Sequence, residues 1–251
     1  MKHRLIITEG LPCSGKSTFS AYIAGVLRAR EPVIFVDEGT GDHPADYELH
    51  ALAPAGMLGS ESRIVPLSQY SGEMLEQLLP YKIYDTLPWE TEKPLMLCKW
   101  RQFADKADAQ TVYVFNCVLL QNPMCETMMR FDFPQSTSLD YIAQIAGIIK
   151  PMNPLVVYLK NDDIAASIRS AAAQRPGWLN AVIGYHVNGA YGRRIGASGF
   201  DGCIRCLQER QQRELDILAR LPLDSIVLDN PQRSWAAAQA QIRAILACEA
   251  V

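Results

Sequence analysis

The sequence predicts a three-layer α/β fold, a mostly parallel five-stranded sheet with helices on both faces. Two observations carry that expectation. Short apolar runs alternate with stretches of helical periodicity, as in a parallel sheet covered by helices. The composition, 251 residues with 49% apolar and 20% charged, is that of an ordinary globular chain able to bury a sizeable core.

The strands are expected at RLIIT (4–8), PVIFV (32–36), TVYVF (111–115), LVVYL (155–159) and SIVLD (225–229). Each is rich in Val, Ile, Leu or aromatics, the signature of strands buried on both faces. Helices are expected over 16–29, 138–149, 162–173, 203–220 and 234–248. In 203–220, Ile204, Leu207, Leu215 and Leu218 recur near helical spacing with Gln and Arg between them. Two intervals break the rhythm: a long mixed segment at 38–110, and a Gly- and Arg-containing segment at 174–202. With no internal repeat, the chain reads as one domain, 1–251, carrying an insertion and a lid.

The sharpest motif is Gly10-Leu11-Pro12-Cys13-Ser14-Gly15-Lys16-Ser17-Thr18, which satisfies G-x-x-x-x-G-K-[ST] between an apolar strand and a helix. The two glycines permit close backbone approach. The loop amides and the first turn of the helix converge on an anion. Lys16 is placed for the β- and γ-phosphates, and the Ser17 hydroxyl for Mg²⁺. The expected fold is therefore of the P-loop NTPase kind, binding a nucleoside triphosphate.

EGLPCSGKST resembles the opening of the nucleoside and nucleotide kinases, thymidylate kinases among them, where a Glu commonly precedes the first glycine. NPLVVYLKNDDIAASIRSAAAQR is similar to their fourth strand and the helix that leads into an arginine-bearing lid. DSIVLDN resembles their fifth strand. The chain also resembles a set of P-loop ATP-binding proteins with an HPAD-type segment after the second strand. The resemblance implies an ATP- and Mg²⁺-dependent kinase. It marks Arg169 and Arg175 as lid arginines, and Asp37, then Glu38, as the acid after the second strand that acts as base or holds the metal through water. One departure stands out: Phe115-Asn116-Cys117 ends the third strand where the relatives usually carry an acid. The guanine-reading N-K-x-D motif and an ABC-type signature are absent.

The remaining candidates follow from charge and shape. From 37 to 48 the chain holds Asp37, Glu38, Asp42, Asp46 and Glu48 with no Lys or Arg. Asp42, His43, Asp46, Trp100, Arg101 and Gln121 are candidates for acceptor binding. Arg175, with Arg193 and Arg194 in GAYGRRIGASG, supplies guanidinium groups that match phosphate oxygens. An insertion that opens with acids and offers only Arg63 and Arg101, plus scattered lysines, favours a neutral or cationic hydroxyl-bearing acceptor, such as a nucleoside, an amino sugar or another natural product. The alternatives are a nucleoside monophosphate kinase, with the acceptor phosphate on Arg63 or Arg101, and a partner-gated regulatory ATPase.

A formal net charge of −3 gives no electrostatic case for nucleic acid or an anionic membrane. MKHRLIITEG has too short an apolar stretch for a signal peptide, and no run of ~18 apolar residues occurs. Seven scattered cysteines read as reduced thiols, so a cytoplasmic setting is expected. Cys203 and Cys206 lie in an amphipathic pattern without the partners of a zinc site. The expected partner is a small-molecule acceptor, and a homodimer is compatible with the sequence.

Overall fold

The computed structural model describes residues 2–175 and 177–248. The chain forms two compact units, Met1–Phe35 with Asp108–Val251, and Val36–Ala107. The insertion expected at 38–110 corresponds in extent to the second unit.

The first unit begins with β1 (Leu5–Gly10), α1 (Lys16–Leu27) and β2 (Val33–Val36). The second unit holds an antiparallel pair, β3 (His50–Ala53) and β4 (Arg63–Pro66), then α2 (Gly72–Leu78), the kinked turn α3 (Ile83–Thr86) and α4 (Trp89–Lys106). The chain returns through β5 (Val112–Asn116), α5 (Gln121–Met124), a π-helical stretch Cys125–Arg130 and α6 (Gln135–Ile149). It continues with β6 (Leu155–Lys160), α7 (Ile164–Gln174), α8 (Trp178–Asn188), α9 (Ala190–Arg194), α10 (Gly199–Leu218), β7 (Asp224–Asp229) and α11 (Trp235–Cys248).

The five-stranded sheet runs β2-β5-β1-β6-β7. β1 pairs in parallel with β5 and β6, and β6 with β7. The central strands are buried along nearly their whole length, as their continuous apolar runs require.

Alternation along the strands decides which side chains reach which layer. Ile6, Val112, Val114, Leu155, Val157 and Leu159 pack with Phe19, Ile23 and Leu27 of α1 and Ala238, Ile242 and Leu246 of α11. Glu9 is offset by one position from Thr8, so it projects to the opposite face, where Tyr158, its partner in register, meets α10.

The 174–202 segment is more ordered than expected. Trp178, Leu179, Val182, Ile183 and Val187 of α8 join a core with Leu11, Ile164, Ile168, Cys203 and Leu207. Their helical spacing is legible in the sequence; reading the interval as a loose glycine-arginine lid overlooked it. Helix α7 is capped by Asp163, whose side chain accepts from Ala166 N at 3.0 Å. Among the described residues, no helix is long and apolar enough to cross a membrane.

His186 of α8 is buried; its Nδ1 meets Val182 O at 2.8 Å and its Nε2 finds no protein partner. Burial, then Arg210, pushes its pKa down to about 4. The unfolded chain takes up a proton at that ring near its ordinary value, so this histidine makes folding weaken as pH falls through the interval between about 6.5 and 4. His186→Gln should therefore lose less stability than the parent between about pH 7 and 5 in urea unfolding. An acid limb of unchanged steepness would show that the slope comes from other groups.

Candidate active site

The loop between β1 and α1 is built as an anion cradle. Gly10 has φ 139°, and a Cβ there would lie 2.6 Å from Leu159 O, a backbone atom that cannot swing away. Gly15, the residue before α1, has φ 90°, and a Cβ would lie 2.3 Å from the Trp235 ring. Cys13 is also left-handed at φ 65°. Leu11 anchors the loop by burying its side chain in the core of α7, α8 and α10. No acidic residue sits in the first turn of α1, so the positive end of its dipole is left for a ligand.

Three side chains complete the cradle. Lys16 is buried, and its ammonium folds back over the loop to donate to Leu11 O at 2.9 Å. Ser14 is buried and its Oγ has no protein partner, which leaves a hydroxyl in the cradle for an anion. Ser17 is exposed, and its Oγ accepts from Asn116 Nδ2 at 3.0 Å. Thr18 is exposed beside it. Pro12 is half-buried in the same loop.

Asn116 therefore occupies the position facing Ser17. Its pairing with Thr8 in the β1–β5 register brings it there. A neutral carboxamide adds no charge to a metal shell. Ser17 still fits Mg²⁺, which typically keeps several waters and takes only one or two protein oxygens alongside phosphate.

Beside the loop lies a cleft of about 440 Å³ lined by Cys13, Gly15, Ala166, Ser167, Ser170, Ala171, Gln174, Arg175 and Gln232. Arg175 is exposed at the end of α7, 5.7 Å above the Trp178 ring. Ser167, Ser170, Gln174 and Gln232 were not anticipated. For α7 the signal was present as a small polar face at i, i+3 and i+7. Arg169, Arg193 and Arg194 are not among the residues lining this cleft. Arg169 stacks on Phe200 at 4.6 Å. Arg193 donates to Asn188 O, and Arg194 pairs with Asp132 while covering Tyr191.

Two walls of the cleft share one buried residue. Asn161 Oδ1 accepts from Asp163 N at 3.0 Å and Gln232 Nε2 at 2.8 Å, and its Nδ2 donates to Ser167 Oγ at 2.8 Å. Gln211 of α10 pairs with the Asn161 backbone N–H and C=O. A residue with no motif signal thus ties α7, α10 and the turn before α11 together.

Gln121 was expected to face an acceptor. Instead it is 7% exposed; its Oε1 accepts from Arg210 at 3.4 Å and its Nε2 meets Cys117 Sγ at 3.3 Å. Its side chain is engaged in holding the turn after β5.

The second unit contains the other candidates. Asp37 is half-buried, its carboxylate accepting from Glu38 N at 2.9 Å, and Glu38 and Asp42 are exposed. Asp46 is buried and accepts from Tyr84 OH at 2.7 Å. His43 Nδ1 accepts from Ala45 N, and burial, then Lys99, pushes its pKa down to about 3, so the ring is neutral. Trp100 is buried, edge-on to Phe103, as a core residue is. Arg101 is exposed.

The acidic stretch is also less acidic than its linear order suggests. Lys99 lies over the Tyr47 ring at 4.8 Å and feels Asp42 and Asp46, while Lys82 acts on Glu48. These cations come from helix and turn positions 34 or more residues along the chain.

Neither protein-family models nor curated proteins match the chain in sequence. Among solved structures, it is similar to YorR from Bacillus subtilis in complex with phosphorylated GDP, with 16% identity, TM-score 0.45, and 98% of this chain and 96% of that one covered. It is also similar to thymidylate kinase from Candida albicans, with 15% identity, TM-score 0.42, and 98% and 92% covered. In this chain the five-stranded sheet carries its G-x-x-x-x-G-K-S loop between β1 and α1, within a layered α/β architecture.

Proposed function

We propose that the protein is a P-loop phosphotransferase that moves the γ-phosphoryl group of ATP to a neutral, hydroxyl-bearing small molecule in the cytoplasm. The observation that supports it most is the loop: buried Lys16 and Ser14 in an amide-lined turn, opening onto a cleft with Arg175 at its rim. Phosphoryl transfer needs positioning and charge neutralisation more than covalent chemistry, and these groups supply both.

In this reading the loop amides, Ser14 and Lys16 hold the β- and γ-phosphates in line. Mg²⁺, when bound, would neutralise phosphate charge, with Ser17 as its protein ligand. Arg175 covers the charge that builds on the transferring group, and Asp37 and Glu38 are the candidate bases for the acceptor hydroxyl's proton. The cations brought to the acidic stretch favour a neutral acceptor over a cationic one. Arg63 and Arg101 are both exposed, and a monophosphate acceptor would depend on one of them.

The test is ADP release with Mg·ATP across nucleosides, nucleoside monophosphates, amino sugars and other hydroxylated metabolites, with Lys16→Ala as blank. A burst with a neutral class is expected. Turnover confined to monophosphates and abolished by Arg101→Ala would replace this reading with a nucleotide kinase. Silence throughout, with ATP bound, would overturn it in favour of a partner-gated ATPase.

A further inference from the structure

Glu9 is the residue immediately before the first glycine of the loop, and it is fully buried. Its Oε1 accepts from Leu119 N at 2.7 Å and Leu120 N at 2.9 Å, and its Oε2 from Gln121 N at 3.1 Å. All three donors belong to the turn that follows Asn116. One residue earlier, Thr8 O accepts from Cys117 N at 2.9 Å, where the chain takes the left-handed conformation at φ 49°. The end of β1 therefore holds both the beginning and the end of the turn.

The other side of the turn is held by α10. Arg210, 1% exposed, donates to Gln121 Oε1 and to Glu214 Oε1 at 2.7 Å, and Glu214 Oε2 accepts from Tyr158 OH at 2.6 Å.

We infer that Glu9 is a positioning residue: its carboxylate couples the phosphate loop to the turn after Asn116, so that Ser17 and Asn116 keep one geometry during phosphoryl transfer. This rests on the proposed reaction. A structural filler does not require a charge here. An apolar side chain would satisfy the volume, whereas three convergent N–H donors call for a carboxylate. Burial, partly offset by the amides and reinforced by Glu214, pushes its pKa up to about 7, so the anchor changes charge near neutrality. The charged groups nearby are Glu214 and Arg210 of α10, with Tyr158 of β6 and the Cys125 thiol beside them.

Glu9→Gln keeps the shape but turns an NH₂ toward one N–H donor. In the full chain, amide hydrogen exchange of the peptide spanning 117–124 should accelerate roughly tenfold while β1 and β6 stay protected. Turnover should fall about tenfold and lose its dependence on pH near neutrality, with ATP affinity within about threefold of the parent. Unchanged exchange at 119–121 would overturn the inference, as would an equal loss of ATP affinity and turnover. If Glu9→Gln does not fold, exchange of the Leu119, Leu120 and Gln121 amides in the parent decides: protection comparable with β1 supports the anchor, and exchange as fast as that of an unpaired loop amide overturns it. These amide readings need no acceptor. Failure of the proposed reaction would appear in the parent as absent transfer, whereas failure of the anchor would appear in the exchange data.

Discussion

Lys16→Ala should lower turnover by on the order of 10³-fold with the fold intact. The side chain lies over the phosphate loop and is buried, with its ammonium 2.9 Å from Leu11 O. Removing it leaves the loop amides, Ser14, the helix dipole and Arg175 at the rim to meet a triphosphate. Nucleotide affinity should fall with turnover, because the ammonium meets charge in both the bound and the reacting state. Lys16→Arg should rescue poorly, since a planar guanidinium does not fit a site shaped around a point charge. Coupled ADP release and titration with a fluorescent nucleotide measure both quantities. Turnover within about threefold of the parent would contradict the assignment of the loop.

Arg210→Ala should cost about 3–5 kcal/mol of stability, the largest structural effect expected of a single substitution here. The guanidinium is enclosed between α10, α5 and β6. Its loss leaves the fully buried Glu214 carboxylate facing only the Tyr158 hydroxyl, and removes a donor from Gln121. The cost comes from the uncompensated charge rather than from the worth of the pair. A double replacement, Arg210→Met with Glu214→Leu, should therefore recover much of the stability while loosening the turn at 121. Urea unfolding of the three variants checks this. A double variant as unstable as Arg210→Ala would show that the network is needed for packing itself.

How much of this was legible beforehand depended on the range of the information. Strands β1, β5 and β6 were legible because continuous apolar runs suit the middle of a sheet, whereas β2 and β7, read in the same way as buried on both faces, are edge strands that leave Ile34 and Val227 exposed. The loop was legible because its glycines, lysine and serine act within eight consecutive residues. Helix α8 was legible too, but its periodicity was overlooked in a segment read from its glycines and arginines. Gln121 looked like a ligand-facing amide until Arg210, 89 positions away, was seen to engage it. Glu9 carried no sign that its carboxylate would meet Leu119, 110 positions on.

The sequence by itself determined the fold class, where the main strands lie along the chain and where the glycine- and lysine-bearing loop joins β1 to α1, because those depend on periodicity and on backbone freedom at particular glycines. Only the tertiary structure decided what the buried polar groups do. It placed Asn116 on Ser17, joined Glu9 to the turn at 119–121, sent Arg169 and Arg194 away from the cleft, and brought Lys99 to the acidic stretch. The physical reason is that the cost of burying a charge, and the partner that offsets it, is set by neighbours distant in the chain, and no local pattern records them.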